Sequence, residues 1–268
     1  MNTLNRSCTR RRLLGSVLTL MAAAELASAQ VGGDIRVQGS RATFSVEAGR
    51  PLYEVAHAVS REYNWPVTFE QSVTVYPGDW IDVTRNFSSG RRAYNLRGGR
   101  FEFSYDLGLG GAEPEDPPAV LRAALDAHHE LGLPGRYELV ETAEFLHIVP
   151  VARRDEAGEW QPERSPLDSL VSLEGRGRTP DAVLRELRML ISESAGIEIL
   201  GGFHPVFKGF PEPRVLERYE HVRAREVLRS LISTSGQGRL WLFLCGLRQD
   251  SSGTKRNRCV LNLMPYRR

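Results

Sequence analysis

The chain has 268 residues, with 35 Lys and Arg against 33 Asp and Glu, and its 41% hydrophobic content suits folded domains rather than a disordered chain. The positive excess lies in the first 29 residues, which hold Arg6, Arg10, Arg11 and Arg12 against Glu25; without them 31 basic and 32 acidic residues remain, a net charge of −1. Overall charge therefore gives no support to nucleic-acid binding, and no later apolar run reaches the ~20 residues that a transmembrane helix needs.

Thr9-Arg10-Arg11-Arg12-Leu13-Leu14, a short apolar run and Ala27-Ser28-Ala29 before Gln30 read as the three parts of a secretory signal peptide, cleaved after about Ala29. Paired arginines followed by two leucines resemble a twin-arginine signal, and an Arg-rich Sec signal accounts for the same residues. The expected location is the periplasm or the medium.

The remaining 239 residues read as α+β, arranged as two small modules, each with two helices packed on short mixed or antiparallel sheets. The first spans 30–152. Phe44–Gly49 is extended and ends in a turn. Pro51 suits a first helical turn, and Leu52, Val55, Ala56 and Val59 recur at helical spacing. Pro66–Glu70 returns as a strand. From about 71 to 116, turn residues punctuate short β-prone runs, including Arg100–Tyr105, which suggests inserted hairpins on an exposed edge. A helix at about 117–131 carries Val120, Leu121, Ala124, Leu125 and His128 on one stripe. Two alternating strands follow, 137–142 and 144–151.

Residues 153–167, rich in charge, Gly and Pro, read as a linker to a second module at 168–268. There Thr179 is a candidate N-cap before Pro180 and Asp181, and Gly196 is a stop for the helix bearing Val183, Leu184, Leu187, Leu190 and Ile191. A short strand at 197–200, a Gly/Pro-rich loop to 213 and an edge-like strand at 215–222 precede a helix with Val227, Leu228, Leu231 and Ile232. A hairpin closes the chain, and its run Leu240–Leu244 argues for a strand buried on both faces. Val-Leu-Arg opens the packing stripe at Val120, Val183 and Val227, but the shared order of elements is the better sign of duplication.

Val46-Glu47-Ala48-Gly49, the helix with Leu52 and Val55-Ala56, the strand Val67-Thr68-Phe69, and Val120-Leu121…Leu125 before a closing hairpin resemble the short N-terminal modules of secretins and TonB-dependent receptors. Val227-Leu228…Leu231-Ile232 ahead of Gly236 resembles them further. The resemblance implies non-catalytic modules that stack, form rings or bind regulatory partners in the periplasm, here in a stand-alone exported protein.

In a hairpin turning on Ser252, Cys245 faces Cys259. An oxidising compartment favours a disulfide, the alternative being two buried thiols. Tyr76, Asp79, Trp80, Asp82, Arg91, Arg92 and Tyr94 cluster in the presumed insertion and are the candidate binding residues, since loop aromatics and arginines often anchor recognition. Asp79 and Asp82 could also serve as paired carboxylates, yet acidic turn residues beside Pro77-Gly78 explain them equally. His128-His129-Glu130 lacks the i, i+4 histidine pair of a helical metal site, and Gly108-Leu109-Gly110-Gly111 fails the dinucleotide pattern at Glu113. No cofactor and no metal is expected. The expectation is thus a non-enzymatic exported protein that recognises an envelope protein or cell-wall component through inserted loops and sheet edges. The alternative is a periplasmic hydrolase with a site between the modules.

Overall fold

The structure, a computed structural model, describes residues 33–86, 93–108, 111, 113–201, 215, 217–234, 239–249 and 255–265, so the export-signal reading falls outside the described residues. Val31–Arg268 forms one contact unit. The arrangement is mixed α+β, with four α-helices and several sheets among the described residues.

Strands β1 (Asp34–Gln38) and β2 (Arg41–Ala48) pair antiparallel, and β2 alternates so that Ala42, Phe44 and Val46 point inward. Helix α1 (Pro51–Glu62) starts on Pro51 and buries Leu52, Val55, Ala56 and Val59, the stripe that its spacing dictates. The short strand β3 (Val67–Glu70) is buried at every position. Next come the small hairpin of β4 (Trp80–Asp82) and β5 (Tyr94–Leu96), then β6 (Gly99–Asp106). In α2 (Pro117–Glu130) the Asp116 side chain accepts from Ala119 N at 3.1 Å, capping the helix. Strands β7 (Arg136–Glu141), β8 (Leu146–Arg154) and β9 (Trp160–Pro162) complete this half.

The second half runs β10 (Leu170–Glu174), α3 (Pro180–Ala195), β11 (Glu198–Gly201), β12 (Arg218–Arg223), α4 (Ala224–Thr234), β13 (Arg239–Gln249) and β14 (Lys255–Pro265). Thr179 caps α3 by accepting from Ala182 N, and Gly196 ends it at φ 64°, a left-handed conformation that glycine adopts without strain.

Strand pairing follows one pattern twice. In the first half β2 lies antiparallel to β6, β3 runs parallel to β8, and β7 lies antiparallel to β8. In the second half β10 lies antiparallel to β12, β11 runs parallel to β14, and β13 lies antiparallel to β14. Parallel pairing of β13 with β3, through Leu242↔Phe69 and Phe243↔Glu70, joins the two triplets edge to edge in one sheet. Gln71 extends that junction with its side chain: Cys245 N donates to Oε1 at 3.2 Å, and Nε2 donates to Cys245 O at 2.7 Å.

Two apolar cores result. One gathers α1 and α2 with Phe44, Phe69, Phe101, Phe103 and Ile148; the other gathers α3 and α4 with Val171, Tyr219, Trp241, Phe243 and Leu261. Strand β13 serves both. Trp241, Phe243 and Cys245 belong to the second core, while Leu242 and Leu244 pack into the first. Its continuous apolar run is thereby explained, each buried Leu or Phe contributing roughly 2 kcal/mol.

Two stretches differ from their sequence appearance. Within 71–116, read as inserted hairpins, β6 belongs to the framework: it pairs with β2 from Ala42↔Tyr105 to Ala48↔Gly99 and buries Phe101, Phe103 and Tyr105. Turn residues flank framework strands as readily as insertions, which hides the distinction. Residues 153–167, read as a linker, contain the end of β8, all of β9 and the buried Ser165, Pro166 and Leu167.

Candidate functional site

After β3, Gln71 N still donates to Phe243 O of β13 at 2.8 Å, and beyond it side chains hold the backbone of Ser72 and Val73. Val73 N donates to Glu163 Oε1 at 2.8 Å, Ser72 Oγ donates to Glu163 Oε2 at 2.5 Å, and Arg153 Nη1 donates to Val73 O at 3.1 Å. Burial pushes the Glu163 carboxyl above its ordinary range. Pro77 then opens a tight turn over Pro77–Asp79, closed by Asp79 N donating to Tyr76 O at 3.1 Å. From that turn the β4–β5 hairpin leaves the framework. It returns at Arg97, whose N and Nε donate to Asp79 O and Gly78 O, each at 2.7 Å.

Arg154, at the end of β8, organises this turn. Its Nη1 donates to Asp79 Oδ1 at 2.7 Å and its Nη2 to Gly132 O at 3.0 Å. The same guanidinium lies 4.8 Å from the ring centre of Trp160 and 5.8 Å from that of Tyr76, while Arg136 stacks on Trp160 at 4.7 Å. Such contacts contribute about 0.5–2 kcal/mol each and hold flat surfaces in a fixed order. Asp79 is 2% exposed, and burial pushes its carboxyl above the ordinary range although Arg154 opposes that shift. Its Oδ2 is buried without a hydrogen-bond partner. A carboxylate so held orients Arg154; it is not poised for proton transfer to an external group.

The candidate residues divide accordingly. Tyr76 and Asp79 come together, with Arg154, Trp160 and Arg136 beside them. Trp80 is 8% exposed with its Nε1 buried and unpartnered, so it serves the interior rather than the surface. Asp82 is exposed, accepts from Thr84 N at 2.9 Å and pairs across the hairpin with Tyr94. Asp79 and Asp82 thus occupy different environments, one held by arginine and one at the surface. Arg91 and Arg92 lie outside the described residues. Sequence reasoning missed Arg136, Arg154 and Trp160; the available signal was a lone tryptophan in a charged, turn-rich stretch.

His128, His129, His147 and Arg225 serve the framework. His128 is buried against Tyr137, with ring centroids 5.3 Å apart, and burial pushes it down to about 3. His129 Nε2 accepts from Tyr137 N at 3.1 Å. His147 Nδ1 lies 2.6 Å from Thr68 Oγ1, its ring stacks on Trp241, and burial followed by Arg225 and Arg229 pushes it down to about 4. Arg225, at the start of α4, donates from Nε and Nη2 to the fully buried Glu70 at 2.6 and 2.7 Å and from Nη1 to Asp168 at 2.7 Å. Cys245 and Cys259 face each other in the β13–β14 ladder and are disulfide-bonded, with S–S 2.08 Å. Among the described residues, no three His, Cys, Asp or Glu side chains gather as metal ligands, and no helix is long and apolar enough to cross a membrane.

No protein-family model matches this chain, and no curated protein or solved structure matches it either.

Proposed function

We propose that the chain is an exported, non-enzymatic envelope protein built from two copies of one β-α-β-β-α-β-β unit, related to the short N-terminal modules of secretins and TonB-dependent receptors. It recognises a protein or cell-wall component through the β4–β5 excursion and the sheet edges. The observation that carries the reading is the recurrence of one pairing pattern, with β2, β3, β6, β7 and β8 matched in order and sense by β10, β11, β12, β13 and β14. In the first copy β3 and β6 are separated by residues 71–98, which include the β4–β5 hairpin. A hairpin that leaves the framework is a natural place for a specialised contact. The aromatic–guanidinium stack at its base fixes how it projects.

The test replaces residues 82–94 by a short Gly-Ser turn, which keeps the buried Trp80 and Leu96 and the whole of β6. Mature wild-type protein, immobilised, should enrich one component of an envelope extract. The variant should lose it while keeping its thermal midpoint within a few degrees. Equal enrichment by both proteins would remove the excursion from the binding surface.

The hydrolase reading has one observation in its favour, a cavity of about 690 Å3 whose lining includes Arg153, Glu163, Ser165 and Asn257. Two of its candidate groups, Glu163 and Ser165, are already engaged. Both Glu163 oxygens accept from Ser72 and Val73, and Ser165 Oγ accepts from Leu167 N. A nucleophile needs a neighbouring base and access to substrate; Ser72 Oγ donates to Glu163, but Ser72 is only 1% exposed, so that contact is closed to a substrate.

A further inference from the structure

Helix α3 brings Arg185, Arg188 and Ser192 over β11, and between them and Ile199, Leu200 and Gly201 lies a cavity of about 520 Å3. Arg188 is in an unusual position for an arginine. Its Nε is buried without a hydrogen-bond partner, although buried donors are nearly always satisfied. Its guanidinium rests where the side chain of residue 201 would stand: a Cβ on Gly201 would lie 1.7 Å from Nη1. Glycine at that place makes room for the charged group.

Among the described residues no carboxylate forms an ion pair with Arg188. Glu198, the acidic residue of β11, is held by Arg258 Nε and Nη2 at 2.6 and 2.8 Å. Glu193 lines the same cavity but forms no ion pair with either arginine among the described residues. Desolvation and the like charge of Arg185 both hold the Arg188 guanidinium below its ordinary pKa, and Asp181 offsets them only in part. The outer edge of β11 adds a donor. Among the described residues β11 pairs with β14 alone, and on its other side Ile199 N donates to Ser192 Oγ at 3.0 Å. Alternation along the strand turns the N–H of Gly201 to that same edge, beside the guanidinium.

We propose that this cavity binds a phosphate group, with the Arg188 fork and the Arg185 charge as its partners and bare Gly201 as the floor. A doubly charged phosphate matches two guanidinium charges where a carboxylate would match one, and it supplies acceptors for the orphaned Nε and the strand-edge N–H together. Neither the excursion nor the Arg154 stack takes part, so failure here leaves the reading above untouched.

Thermal unfolding of the full chain in sodium phosphate against sodium chloride at equal ionic strength is the first measurement. Phosphate at about ten times its dissociation constant should raise the midpoint by about 3 °C over chloride. Arg188→Gln should abolish the increment, and Arg185→Gln should weaken affinity about tenfold. Gly201→Ala keeps every charge but sets a methyl group where the guanidinium rests, and should also abolish it. Co-sedimentation with phosphatidylcholine vesicles containing phosphatidic acid, a phosphomonoester, against phosphatidylcholine vesicles alone identifies the source. Sedimentation that inorganic phosphate competes away and Gly201→Ala removes marks a lipid headgroup; a phosphate increment without sedimentation marks a soluble phosphorylated molecule. No increment over chloride, or one that survives both Arg188→Gln and Gly201→Ala, overturns the proposal.

Discussion

Replacing Arg225 by methionine strands a charge at the junction of the two halves. Glu70 is 0% exposed, and the Arg225 side chain is 15% exposed, so the pair sits away from water. Its geometry is bidentate, and Trp241 Nε1 adds a longer contact to Glu70 Oε1 at 3.3 Å. Removing one partner of such a pair leaves a buried charge uncompensated, at about 3–5 kcal/mol. For a chain of this size that corresponds to a fall of roughly 10 °C in midpoint. Removing both partners behaves differently. The double variant Glu70→Gln/Arg225→Met keeps the tryptophan contact and buries no charge, so it should recover more than half of the loss. Urea unfolding of wild type, both single variants and the double variant gives the coupling energy, which should exceed about 2 kcal/mol with an unchanged denaturant slope. An Arg225→Met penalty below about 1 kcal/mol, the level of an exposed pair, or strictly additive single losses, would refute the reasoning.

Acid should destabilise the protein through its buried histidines. Both His128 and His147 have folded pKa values below the ordinary imidazole value. Their contribution is therefore fully present above about pH 6.5 and is lost as the pH falls toward about 4 for His147 and about 3 for His128. The complete loss is on the order of 3 kcal/mol for His147 and 5 kcal/mol for His128. Asp79 and Glu163, whose carboxyls burial raises, act in the opposite sense, favouring the fold on protonation. The urea midpoint should fall between pH 6.5 and 4, and His128→Leu should flatten that slope; an unaltered slope counts against the assignment. The Cys245–Cys259 bond closes a loop with a sequence separation of 14, so reduction should lower stability by about 3 kcal/mol. Matched thermal scans with and without dithiothreitol, checked by thiol labelling, measure it; identical midpoints on fully reduced protein would contradict it.

Local rules made much of the framework readable. Thr179, Pro180 and Gly196 bracket α3 through a cap, a pre-set φ and a left-handed stop, each a matter of a few neighbouring atoms. The β13–β14 register follows from hairpin symmetry, which is why Cys245 can be set opposite Cys259 from the numbering alone. What the sequence hid was contact at long range. The β3–β13 pairing leaves no trace in the periodicity of either strand, and Glu70 and Arg225 look like ordinary surface charges until that pairing brings them together. Strand β10 went unseen because five residues beside a charged, turn-rich stretch carry little pattern. In the candidate site Tyr76 and Asp79 were accessible through their turn chemistry. Arg154 and Arg136 were not, because stacking on Trp160 depends on where β8 and β9 end.

The pairing of Phe69 with Leu242 carries a consequence for how the polypeptide is made. Synthesis proceeds at about 5–20 residues per second, so β3 waits roughly 10–30 s before its neighbour β13 exists. During that interval the nascent N-terminal half presents an open strand edge flanked by apolar side chains, the kind of template on which other chains add. A ribosome stalled short of β13 would release a fragment with a sticky margin, so sheltering of the growing chain should matter more for yield than the stability of the finished molecule suggests.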